Sequence, residues 1–193
     1  MATDNPTKIR HEYQEFTKRT FAYSGNHDLD IYHCLIGVLS ESIELGNEHN
    51  ILEGMINNFK ILPEQLAAQR VRVRKEYGDV CYYLAMLGNL VQIKFDLLTD
   101  GSMIDFELGN ALEALANTLK KAISYKHVIR AEDLIRQYKH TVSCVHMMMT
   151  NRNINFYTIL QENRAKLEAR YLCHICFTVV IHYNLYLCSI QLM

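Results

Sequence analysis

An excess of charge of either sign is missing from this chain. Its 193 residues carry 20 lysines and arginines against 21 aspartates and glutamates, a formal net charge of -1. That balance leaves no basic footprint for a nucleic-acid polymer and no polybasic patch for an anionic membrane. Proline is scarce, at 2 residues. The N-terminal M-A-T-D-N-P-T-K holds no apolar run of the secretory type, so a cytoplasmic location is expected. Cys34, Cys81 and Cys144 fall inside helical apolar patterns. Their spacing makes no disulfide framework, and they read as reduced core thiols. No alternating strand pattern occurs before residue 171. What remains is an all-α chain, a helical bundle.

Apolar residues make up 49% of the chain, enough for a sizeable core. Residues 7–21 set Ile9, Tyr13, Phe16 and Phe21 at helical intervals, with Tyr13 and Phe16 expected in the core. Residues 23–28 have loop chemistry, and Asp28 or Asp30 is expected to cap the next helix. That helix offers Cys34, Leu35, Val38, Leu39 and Ile43 as core and weakens around Gly46 to Asn50. Pro63 opens a new helix, with Val80, Tyr83, Leu84 and Leu87 on its core side. T-D-G-S at 99–102 breaks the chain, and three more helices are expected near 104–124, 131–149 and 154–170.

Acids stand out against this apolar background. In H-C-L-I-G-V-L-S-E-S-I-E-L, Glu41 and Glu44 lie three apart on one helix face. R-K-E-Y-G-D-V repeats the interval with Glu76 and Asp79. Gathered together, four carboxylates raise each other's pKa unless a cation neutralises them. Hard oxygen donors with no thiolate nearby favour Mg²⁺, with Mn²⁺ as the alternative. His33, two turns before Glu41, reads as a packing histidine, and the Met147–Met149 run as gap-filling core.

The ordered set E-S-I-E-L, then E-Y-G-D-V followed by Y-L-A, then N-R-A-K-L-E-A-R-Y at 163–171 resembles the MazG-like all-α nucleotide pyrophosphohydrolases. That superfamily also holds the dimeric dUTPases and phosphoribosyl-ATP pyrophosphohydrolase. The resemblance covers residues 30–95 and, by motif, 154–171. It implies Mg²⁺-dependent hydrolysis of a nucleoside triphosphate to a monophosphate and pyrophosphate. It further implies Glu41, Glu44, Glu76 and Asp79 as metal ligands, with Glu41 or Glu44 orienting or deprotonating the water. Asn163 and Lys166 would approach the phosphates or complete the acidic site. A homo-oligomer, dimer or tetramer, is expected, without a nucleic-acid polymer as partner. The competing function is a non-catalytic helical module that binds a nucleotide or a protein. A di-iron carboxylate bundle is disfavoured, because no Glu-x-x-His pair occurs.

Two departures accompany the resemblance. The interval from Asp79 to Asn163 is long, which suggests a duplication. Gly37–Glu44 can be laid over Gly109–Ala116, and Glu76–Val80 over Gln137–Thr141. The acidic quartet then becomes Glu113, Ala116, Gln137 and His140, a degenerate repeat within 104–171. The plainer alternative is an inserted helical hairpin. The second departure is the ending. Residues 1–171 read as the pyrophosphohydrolase-like domain, but 172–193 form an atypical apolar tail in which positions 172–190 carry no Asp, Glu, Lys or Arg. Two histidines and many β-branched or aromatic residues make a membrane anchor a poor fit, and only Cys173/Cys176 has a zinc-like interval. A strand or irregular segment packing on the bundle, or an altered terminus, completes the set of readings.

Overall fold

The structure, a computed structural model, describes residues 5–58, 60–98 and 107–171. These residues contain six helices and no strand, so the all-α expectation holds. The tail at 172–193 and the break at 99–102 lie outside the described residues. The helices are α1 (Pro6–Thr20), α2 (His27–Ile56), α3 (Pro63–Leu90), α4 (Leu108–Ser124), α5 (Ala131–Thr150) and α6 (residues 156–171).

Local chemistry sets the helix starts. Asn5 accepts from Thr7 N (3.0 Å) with Pro6 at the first helical position of α1. Asn26, rather than Asp28 or Asp30, caps α2, accepting from Asp28 N (3.0 Å) and Leu29 N (3.2 Å). Asp30 instead folds back to accept from Ser24 N at 2.8 Å. α3 begins at Pro63, where Gln65 Oε1 accepts from Leu62 N at 3.0 Å. Helix α2 runs unbroken through Gly46–Asn50, a difference from the expected weakening. Neither Gly46 nor Gly54 has a neighbour within 4 Å of the position a Cβ would take, and the flanking packing on α3 outweighs the roughly 1 kcal/mol helical cost of each glycine.

α2 packs along α3, α4 along α5, and α1 against α3. The core joins both pairs: Val38, Leu45, Val80, Leu84, Leu87, Leu115, Val142 and Ile159 are all buried. Tyr13 and Phe16 are buried as expected, and so are the free thiols Cys34, Cys81 and Cys144. Met149 lies in the core, with Met147 and Met148 half-buried. Polar cross-links fix the remaining elements. Gln14 on α1 donates to Ile93 O and accepts from Phe95 N, both at 2.8 Å. Arg10 reaches Asp96 at 3.1 Å and Tyr157 on α6 at 3.1 Å. These bonds clamp α1 between the end of α3 and α6.

Leu39 and Ile43 were expected inside but face out. Leu29, Ile36 and Ile43 are 56, 63 and 66% exposed. At seven-residue intervals they form one stripe on the side of α2 opposite Cys34, Val38 and Leu45. Periodicity alone could not tell the two apolar faces apart, because α2 is apolar on both.

Candidate active site

Glu41 and Glu44 sit on α2, three residues apart, and face Glu76 and Asp79 on the adjoining α3. Glu41, Glu44 and Glu76 each offer a carboxylate oxygen lying within 4.8 Å of the others. Asp79 stands beside this group with a different role. Its Oδ1 accepts from Asn163 Nδ2 at 2.9 Å and pairs with Lys166 Nζ. All six residues singled out in the sequence therefore meet in one region, three as a carboxylate triangle and three as an Asp–Asn–Lys cluster.

Asn163 is buried, and Tyr13 donates to its Oδ1 at 2.8 Å. This bond from α1 leaves the amide nitrogen free to donate to Asp79. Gly78 makes the approach feasible. A Cβ there would lie 2.7 Å from Asn163 Nδ2 and 2.9 Å from its Cβ. Gly37 does the same for the aromatic wall: its missing Cβ would lie 2.4 Å from the Tyr83 ring. On the outer side of the triangle, Gln69 on α3 donates to the backbone carbonyl of Glu48 at 3.0 Å and to its carboxylate.

The cluster opens into a cavity of about 450 Å³, a size in the range of roughly 300–1,000 Å³ usual for small-molecule sites. Its lining carries Glu41, Glu44, Glu76 and Asp79. Lys166 and Arg170 line it as well, together with Phe21, His33, Tyr82, Tyr83 and Tyr171. Arg170 and these tyrosines were missed in the sequence. Arg170 follows Lys166 by four residues, one helical turn, and that interval was the signal available. His33 is exposed, its ring 5.2 Å from Phe21 and 6.1 Å from Tyr83.

Burial and mutual repulsion raise two carboxyls of the triangle. Burial, then Asp79, Glu44 and Glu76, push the Glu41 carboxyl up to about 7, while Lys166 opposes the rise. Glu76 is raised by burial, then by Asp79, Glu44 and Glu48. Such a set of hard oxygen donors fits a divalent cation of the Mg²⁺ or Mn²⁺ type. The corresponding positions of the second helix pair hold no such set: Glu113 is exposed, and Ala116, Gln137 and His140 are half-buried.

No family model, curated protein or solved structure matches the chain. Among the described residues no helix is long and apolar enough to cross a membrane.

Proposed function

We propose that the protein is a Mg²⁺-dependent nucleoside triphosphate pyrophosphohydrolase of the MazG-like kind. The observation that carries this reading is the meeting of the Glu41–Glu44–Glu76 triangle with Lys166 in one open cavity. Carboxylates that hold a cation and a lysine that meets phosphate are the two charge types a triphosphate requires. The order of E-S-I-E-L, E-Y-G-D-V and N-R-A-K-L along the chain supports it further.

In this reading Glu41, Glu44 and Glu76 would hold the metal, with Asp79 adjoining them. Mg²⁺, or Mn²⁺ in its place, would neutralise phosphate oxygens and make a bound water more acidic. Lys166 leans on Asp79 in the resting site and is placed to turn its ammonium toward a phosphate, with Arg170 one turn further along α6. Asn163 and Tyr13 hold Asp79 in register. Glu41 or Glu44 orients the attacking water and takes its proton. Tyr82, Tyr83 and Phe21 offer ring faces in the cavity for a base.

The outward stripe of Leu29, Ile36 and Ile43 supports self-association, since exposed apolar rows of this kind are covered in assemblies. Pyrophosphate release from a panel of nucleoside and deoxynucleoside triphosphates with Mg²⁺ tests the enzymatic reading. The wild type is expected to turn over at least one of them, and Glu41→Gln to do so on the order of a hundredfold or more slower. A folded, helical wild type inert toward the whole panel would leave the non-catalytic nucleotide-binding module in its place.

A further inference from the structure

The run R-V-R-V-R-K, residues 70–75, is the densest stretch of positive charge in the sequence, and the acidic site uses none of it. On α3 it places Arg70 and Arg74 four residues apart, one above the other on one face. Like charges in that register repel, which disfavours the helix unless something compensates. A third guanidinium comes from elsewhere in the chain. Arg152 sits on the turn between α5 and α6 and lines the same cavity of about 530 Å³.

That turn is held in place. Asn151 N bonds Met147 O at 2.9 Å, Arg152 N bonds Met149 O at 3.0 Å, and Ile154 N bonds Met149 O at 2.9 Å. Asn153 adopts φ 57, in the left-handed region, to close it. Arg152 is thus presented from a fixed backbone. Arg74 is paired with Glu162 through its fork, Nε donating at 3.2 Å and Nη2 at 2.5 Å, and Arg152 Nη1 donates to Met148 O at 3.4 Å. Among the described residues no carboxylate pairs with Arg70 or Arg152. Glu53 is the one acid lining the cavity. The buried floor is His49, whose Nε2 lies 3.0 Å from Tyr77 Oη.

The other side of the cavity is apolar, made by Leu52, Ile56 and Ile154. The whole is larger than a lone tetrahedral anion needs. It shares no lining residue with the acidic cavity. On α3, Arg74 points about 160° around the helix from Glu76 at 3.6 residues per turn. The two cavities are therefore built from different residues of α2 and α3.

We propose that this cavity is a second ligand site, for an organic phosphate monoester. Its phosphate sits among Arg70, Arg74 and Arg152, and its carbon body lies on Leu52, Ile56 and Ile154. Guanidinium forks match phosphate oxygens two at a time; Arg70 and Arg152 have no carboxylate partner among the described residues, and Arg74, paired with Glu162, adds its charge beside them. The site stands independently of the pyrophosphohydrolase reading, because it uses neither the triangle nor Lys166.

Isothermal titration calorimetry with phenyl phosphate and with inorganic phosphate, both in excess EDTA so that no divalent metal takes part, tests the proposal. Wild type and Lys166→Gln are expected to bind phenyl phosphate alike, at least tenfold more tightly than inorganic phosphate. An Arg70→Gln/Arg152→Gln double variant is expected to bind at least tenfold more weakly with an unchanged circular dichroism spectrum. Both arginines are exposed, so the fold should tolerate the change. Amide shifts in a two-dimensional NMR titration of the wild type provide a reading that needs no variant, and they should concentrate at Arg70, Arg152 and Ile154. Absence of binding by the wild type would overturn the site. So would loss of binding in Lys166→Gln with retention in the double variant, or amide shifts confined to the acidic cavity. Equal affinity for the two phosphates would overturn the organic-ester assignment.

Discussion

The α2/α3 pair and the α4/α5 pair can be aligned in sequence, yet they are built differently. In the first pair two glycines permit close contact, Gly37 under the Tyr83 ring and Gly78 under Asn163, while Gly46 and Gly54 stand open. In the second, Gly109, the residue aligned with Gly37, has nothing within 4 Å of its missing Cβ. Lys139 takes the place of Gly78 and is half-buried. One feature is common to both. Tyr77 and the aligned Tyr138 are each fully buried, the first against His49 and the second donating to Leu84 O at 2.8 Å. The lengths differ as well, 30 and 28 residues for α2 and α3 against 17 and 20 for α4 and α5. The shared tyrosine is a packing anchor that either an inserted hairpin or a decayed copy would retain. Gly37 and Gly78 lie beside the acidic residues, while Gly88 near the end of α3 is packed as closely, against Tyr138 Oη, and does not line the acidic cavity. A binding centre thus needs backbone spacing as much as it needs acids.

The comparison is broken most directly at the carboxylates. Glu41→Gln should lower Mg²⁺-dependent pyrophosphate release on the order of 10²–10⁴-fold, while Glu113→Gln at the aligned place should leave it unchanged. Equal loss in both variants would erase the distinction between the pairs. Next come the glycines, read by urea unfolding. Gly37→Ala and Gly78→Ala should each cost about 1–3 kcal/mol through overpacking against Tyr83 and Asn163. Gly78→Ala should also impair turnover, by displacing the amide that holds Asp79.

A smaller effect is expected from pH in the metal-free protein. Glu41 is raised from 4.5 to about 7, so between those values the folded state holds a proton that the unfolded chain has released. The resulting stabilisation is complete below about pH 4.5 and is lost as pH rises through about 7. The melting temperature should therefore fall between about pH 5 and about pH 8 more steeply in the wild type than in Glu41→Gln. Added Mg²⁺ should recover part of the loss at the higher pH in the wild type alone. Identical pH profiles for the two proteins would remove Glu41 as the source. The smallest change is expected at Gly109→Ala, neutral or stabilising by up to about 1 kcal/mol, because a helical glycine in open space gains only propensity.

Much of the site was legible because its residues announce themselves by type and interval. Glu41, Glu44, Glu76 and Asp79 are acids at three-residue spacing in apolar helices, and helix geometry alone puts each pair on one face. Less legible was the division of labour among them. Nothing in the spacing says that Asp79 pairs with Lys166 and Asn163 while the three glutamates form the triangle, since that depends on where α6 lies against α3. Tyr13, 150 residues from Asn163 in the chain, looked like any core aromatic. Ile43 and Leu39 were placed inside because α2 is apolar on two faces, and hydrophobic period reports a face without saying what covers it.

By itself, the sequence determined the helical class, through apolar residues at three- and four-residue intervals and through Pro63 at a helix start. It also determined the acidic pairs, whose geometry is local to one helix. Only the tertiary structure decided that the pairs face each other, that Asn163 fits over Gly78, and that Arg152 joins Arg70 and Arg74 in a second cavity. Those are relations between helices, set by where buried side chains of different segments interlock. A linear period carries information about one helix at a time, and a site made by several helices is specified only when they pack.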